Sequence, residues 1–162
     1  EKGLKIAMGH IYRYFPLVKL IKDDIAAGKF GDITHGTITV RWGHDQAYYD
    51  QAAWRGTWKS DGGAMMNQTI HAIDLLIWLM NSDAVEATAL IAKRSHNIEA
   101  EDTGMAVLRL QSGALAQIEG TTSTSPSEQM ACFNILGTKG SIELGLHNKK
   151  PFLSFLPFLL SF

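Results

Sequence analysis

Three side chains able to take part in chemistry recur at one-turn intervals in the stretch "NQTIHAID": Asn67, His71 and Asp74. At about 100° per residue, positions 67, 71, 74 and 78 fall within roughly 60° of one another, so on a helix Asn67, His71, Asp74 and Trp78 form one stripe. An imidazole exchanges a proton near neutral pH, which makes His71 a candidate general acid or base. Asp74, one turn on, has the reach to fix the imidazole tautomer. Asn67, one turn back, has the reach to hold a substrate hydroxyl. Spacing alone does not decide this, since a His-x-x-Asp pair on a helix is more often a structural hydrogen bond. Three polar groups on an otherwise apolar helix must be satisfied by one another or by a ligand, because a buried unpaired one costs about 1–3 kcal/mol. No zinc or other metal site is expected: there is no His-x-x-x-His pair, and the only cysteine, Cys132, is remote.

The residues before the stripe, 43 to 62, have little periodicity and form a loop long enough to suspect function. They carry Tyr48, Tyr49, Trp54, Arg55 and Trp58. Arg55 suits an anion clamp for phosphate or carboxylate. The tryptophans are expected to plug a sheet–helix interface, although Trp54 also qualifies as a substrate contact. Tyr48 and Tyr49 either stack on a sugar ring or pack. Lys59 and Asp61 read as solvated. His35, His44, His96 and His147 show no pairing pattern and receive no role.

Positioning such groups takes a frame, and the chain spells one out. Residues 4–12 read as a buried strand. A helix follows, with Pro16 in its first turn, apolar residues at Leu17, Leu20, Ile21 and Ile25, and Gly28 as a left-handed cap. Residues 32–43 alternate as a strand. Gly62-Gly63 opens the stripe helix, about 64–80, which Asn81 ends. Strand character then recurs at 84–95, 103–111, 114–123, 129–137 and 140–146, with turn signals at 111–114 and 137–141. Short connections predict neighbouring antiparallel strands in a meander. The expected class is α+β, an open, mainly antiparallel sheet with helices packed on one face.

Composition limits the partners. The chain has 162 residues, a formal net charge of -1 and 46% hydrophobic residues. No basic excess points to nucleic acid. The one cysteine reads as a small, inert core residue, and a lone thiol fits a reducing, cytoplasmic setting. The N-terminus does not read as a signal peptide. The last twelve residues, "PFLSFLPFLLSF", are apolar but too short to span a bilayer, which takes about 20 residues.

The segment "WRGTWKSDGGAMMNQTIHAIDLLIWLM" (54–80) resembles the signature of the glucose–fructose oxidoreductase / inositol dehydrogenase (Gfo/Idh/MocA) family. "GHIYRYFPLVKLIKDDIAAGKFGDI" (9–33), "IEAEDTGMAVLRLQSGALAQIEGTTS" (98–123) and "ILGTKGSIEL" (135–144) are similar to its other parts. The resemblance implies an NAD- or NADP-dependent dehydrogenase of sugars, polyols or sugar nucleotides. It places the family's acid/base histidine at His71, with Asn67 where inositol-type members often have Asp, and Asp74 where the family often also has Asp. It sets Arg13 and His10 near the cleft, as candidate substrate contacts beside Arg55 and Trp54. It also implies a homo-oligomer built on the other sheet face.

The glycine-rich phosphate loop Gly-x-Gly-x-x-Gly is absent, as is the Glu-Lys-Pro motif. No residue here is therefore expected to bind cofactor, and NAD(P) would be held by an N-terminal domain outside this chain. Residues 1–12 would be a remnant last strand of that domain, 13–146 the substrate and oligomerisation domain, and 147–162 an atypical tail foreign to the family. As it stands the chain would be inactive. The rival expectation is a non-catalytic dimerisation or carbohydrate-binding module of the same fold. An upstream reading frame of about 120 residues opening with the glycine motif would favour the enzyme.

Overall fold

The structure, a computed structural model, describes residues 3–148 and 150–157. Seven strands form one sheet in the order β2-β3-β4-β1-β5-β6-β7. They are β1 (Ile33–Trp42), β2 (Ala84–Ala92), β3 (Thr103–Leu110), β4 (Leu115–Thr121), β5 (Gln129–Gly137), β6 (Gly140–His147) and β7 (Lys150–Pro157). All neighbours are antiparallel except β1 and β4, which run parallel. The helices are α1 (Pro16–Ala26), α2 (Gln46–Asp50) and α3 (Ile70–Met80), preceded by a 3-10 turn at Ile11–Tyr14. The class is α+β, as the patterning implied.

α1 forms where expected: Pro16 occupies its first turn, and Gly28 follows its end at φ +72°. In β1, Gly36, Ile38 and Val40 face the helices and are buried, while the residues between them face the other way. Leu76 and Leu79 of α3 are fully buried and share one core with Ile38, Ile135 and Leu110. α3 lies close on the sheet because glycines lie under it. A methyl at Gly36 would sit 2.7 Å from Met80 Sδ and 2.9 Å from Leu76 Cδ1.

The tertiary structure corrects four expectations. The later strands do not form one meander, because β1 is inserted between β4 and β5. The 122–128 loop crosses the end of β1, where Gly43 N–H donates to Glu128 O at 3.0 Å and His44 N–H to Thr122 O at 3.2 Å. Alternation marks a strand but not its neighbours. Residues 4–10 form no strand, and Leu4, Ile6 and Met8 are 79%, 91% and 78% exposed, since an apolar run has no ladder without a partner edge. The stripe helix begins at Ile70, not near 64. Glu101 captures the preceding turn, its carbonyl accepting from Ala64 N–H at 2.9 Å and its carboxylate from Met65 N–H at 3.0 Å. Finally, residues 150–157, which fall in the stretch read as an atypical tail, pair along β6 as β7, with Phe152 opposite Gly145. Phe158 and the rest of that tail lie outside the described residues.

Candidate functional site

The segment just before α1 crosses the exposed side of α3 and brings His10, Tyr12 and Arg13 to the predicted stripe. Two N–H groups of Arg13 bind the two carboxylate oxygens of Asp74, that from Nε at 2.8 Å to Oδ2. This bidentate bond holds Asp74, whose side chain is 13% exposed, and raises the Arg13 pKa above its usual value. His10 Nδ1 lies 3.5 Å from the same Oδ2 without a hydrogen bond, a contact that is ionic only when the imidazole is protonated.

His71 is half-buried, and its neighbours are rings. His10 stands edge-on at 6.0 Å and Tyr12 lies tilted at 5.6 Å. Its Nδ1 is sealed from solvent and has no hydrogen-bond partner among the described residues. No hydrogen bond joins Asp74 to His71 among the described residues, so the carboxylate held by Arg13 does not fix the His71 tautomer here. Asn67 sits in the turn before α3 and not on the helix. Its Nδ2 donates to Asp61 Oδ1. Asp61, expected to be solvated, instead also accepts from Gly56 N–H at 2.6 Å, so it ties the 43–62 loop to the start of α3. The Asp-Gly pair that opens this turn was the available signal.

At the other end of α3, Lys22 Nζ donates to Trp78 O at 2.6 Å and to Asn81 Oδ1 at 2.8 Å, satisfying the helix terminus. Burial, and then the nearby Arg13, lower the Lys22 pKa. Arg13 and Lys22 both lie over the Trp78 ring. A polar hollow of about 560 Å³ opens there, lined by Arg13, Trp78, Asn81, Ser82 and Gln111 among others, but not by His71.

The loop aromatics do not plug the core, for Trp54 and Trp58 are 48% and 51% exposed. Polar bonds pin the loop instead. Gly56 O accepts from Ala100 N–H at 2.8 Å, and Glu99 accepts from Trp58 N–H at 3.1 Å. Tyr49 packs, buried, with its hydroxyl 2.8 Å from Thr122 Oγ1. Tyr48 stacks on His44 at 3.7 Å with rings 4° apart, and Arg55 lies 4.2 Å over Tyr48. Burial, with help from His96 and Arg55, lowers the His44 pKa.

His96 and Asp102, which no local pattern links, form a buried pair. His96 Nδ1 meets Asp102 Oδ2 at 3.1 Å, and its Nε2 meets His44 O at 3.1 Å. Burial pushes the Asp102 carboxyl up, but the N–H groups of Ser95, Arg94 and His96 outweigh this and hold it down to about 2. Cys132 is buried as expected. Burial, and the Glu143 carboxylate 3.6 Å away, push its thiol up to about 11.

β1 leads into a five-residue helix, α2, without a glycine-rich turn, so no residue is assigned to NAD(P). Among the described residues no three His, Cys, Asp or Glu side chains gather as metal ligands, and no helix is long and apolar enough to cross a membrane.

Residues 18–143 match the GFO/IDH/MocA C-terminal domain. The chain belongs to this family. It is 38% identical to the WlbA dehydrogenase of Bordetella pertussis, solved with NADH and UDP-GlcNAcA; the likeness covers 92% of this chain and 46% of that one, with a TM-score of 0.84. The corresponding enzyme of Chromobacterium violaceum is 35% identical, over 94% of this chain and 44% of that one, also with a TM-score of 0.84. The 1,5-anhydro-D-fructose reductase of Ensifer adhaerens is 30% identical over 148 residues, which is 88% of this chain and 42% of the reductase. The chain thus spans less than half the length of these GFO/IDH/MocA relatives.

Proposed function

We propose that this chain is the substrate domain of an NAD(P)-dependent dehydrogenase acting on a sugar, polyol or sugar nucleotide, with His71 as its proton-transfer group. The observation that carries this reading is a half-buried imidazole, its Nδ1 unpaired, beside a carboxylate immobilised by arginine, in a chain of this family. His71 accepts the hydroxyl proton as the carbinol carbon is oxidised and returns it in the reverse direction. Ring contacts with His10 and Tyr12 orient the imidazole. Asp74 acts one step removed, by locking Arg13 and drawing His10 toward the site. Asn67 has its amide donor engaged by Asp61, which leaves the carbonyl oxygen to accept from a substrate hydroxyl. Arg13, His10, Arg55 and Trp54 are the proposed substrate contacts. NAD(P), held by a dinucleotide-binding half, would carry the hydride. Of the substrate classes a sugar nucleotide is favoured, because the relative at 38% identity was solved with one.

In the full-length enzyme, His71→Ala is expected to lower kcat by about 10²–10⁴-fold while leaving the fold and thermal midpoint near the parent's. Turnover within a few-fold of the parent would remove His71 from the chemistry. The open sheet face is the proposed seat of a second copy, since Leu90, Met105 and Val107 lie on it 81%, 56% and 52% exposed.

A further inference from the structure

Arg13, Arg41 and Arg109 each pair with a carboxylate, and Arg94 is exposed. Arg55 differs from all four. It is half-buried, its Nε is sealed from solvent, and none of its side-chain N–H groups has an acceptor among the described residues. Its guanidinium is nevertheless fixed, 4.2 Å over the Tyr48 ring and 4.9 Å from that of Trp54. Tyr48 is braced in turn by His44 at 3.7 Å and by Gln68 Nε2 on its hydroxyl at 3.3 Å. The next residue, Gly56, has φ +66° and a Cβ there would lie 2.7 Å from the Ile98 side chain, so the backbone at Arg55 has little freedom.

Arg55 opens onto a cavity of about 420 Å³ also lined by Gln46, Thr57 and Asn97. The carboxylates of Asp50 and Glu99 line it too, yet neither pairs with Arg55: Asp50 accepts from Gln46 at 2.9 Å and Glu99 from Trp58 N–H at 3.1 Å. A guanidinium held in place with its Nε sealed from solvent and its fork empty is a receptor for an oxyanion. Asp61 joins this loop to Asn67, four residues before His71, so the receptor and the proposed reacting centre share one support.

We propose that Arg55, mounted on Tyr48 and Trp54, receives the phosphoryl group of a sugar-nucleotide substrate whose sugar lies at His71. This rests on the reading of the α3 stripe as the substrate face. A free carboxylate, as on a uronic acid, presents similar oxygens. A phosphoryl group fits better because the half-exposed Trp54 ring beside Arg55 offers a platform for the attached base.

The test is calorimetric titration of the 162-residue chain with UDP and, separately, with glucuronate. UDP should bind saturably, and Arg55→Gln should weaken it about tenfold or more. Arg55→Lys should restore part of the loss, since it keeps the charge without the fork. Arg94→Gln, at the exposed arginine, should leave UDP affinity unchanged, and Trp54→Leu should abolish the UDP-induced change in tryptophan fluorescence. Circular dichroism and the thermal midpoint check that each variant folds. Absence of saturable UDP binding, equal UDP affinity in Arg55→Gln, or an Arg55 dependence seen with glucuronate alone would each overturn the proposal. These readouts involve no turnover, so a failure of the His71 assignment is separable from a failure here.

Discussion

At the scale of single residues, buried charge is tolerated here only where hydrogen bonds surround it. Asp102 is fully buried and accepts from three successive backbone N–H groups, of Arg94, Ser95 and His96, as well as from the His96 ring. Its pKa falls from the ordinary 3.8 to about 2 on folding. A depressed folded value means that the carboxylate contributes stability above pH 3.8 and loses it as the pH falls through about 2. The shift corresponds to about 2 kcal/mol. Asp102→Asn is therefore expected to lower unfolding free energy at pH 7 by about that much. The gap to the parent should narrow on acidification, as read by urea denaturation across a pH series. A constant gap from neutral pH to pH 2 would contradict the charge-based account. The Arg13–Asp74 pair is a weaker stabiliser, because Arg13 is 39% exposed and solvent screens it. Its role is geometric, since it decides where the Asp74 oxygens point.

At the scale of elements, the position of α3 sets the site. The helix starts only at Ile70 because the preceding turn is bound to Glu101, and it lies close because Gly36 and Gly120 leave room. A Cβ at Gly120 would run into Thr69 Oγ1 and come within 2.8 Å of Met65 Sδ. Thr69 is fully buried and directly precedes α3, so it has no open side to yield into. Gly120→Ala should cost about 1–3 kcal/mol and lower the melting temperature by several degrees. It should also reduce turnover of the full-length enzyme, because the strain falls two residues before His71. An unchanged melting curve would mean that the helix slides freely on the sheet.

At the scale of the whole molecule, the two sheet faces differ in kind. One carries the helices and the core. The other carries Leu90, Met105 and Val107 in the open, with the Arg41–Glu119 and Arg109–Glu86 pairs around them. An exposed apolar patch bordered by charge is what an association surface looks like. Val107→Lys, on a strand already 52% exposed at that position, should leave the fold intact and shift light-scattering mass toward the monomer. The same mass distribution in parent and variant would place any self-association elsewhere. The exposed run at Leu4, Ile6 and Met8 lies off the sheet and is a separate apolar surface.

The local rules of the chain were enough to read α1 from Pro16 and Gly28, strands β1 to β6 from their alternation and turns, and the α+β class. Each of these depends on neighbours a few positions away, where backbone sterics and side-chain period act directly. What the sequence could not specify is which distant group satisfies which. Asp74 is bound by Arg13, 61 positions earlier; β1 pairs with residues 80 and more positions later; and the empty guanidinium of Arg55 is recognised only once Asp50 and Glu99 are seen to bind other groups. Pairing of buried polar groups is a property of the packed interior, where water no longer competes and the nearest acceptor is chosen by the fold rather than by the order of residues.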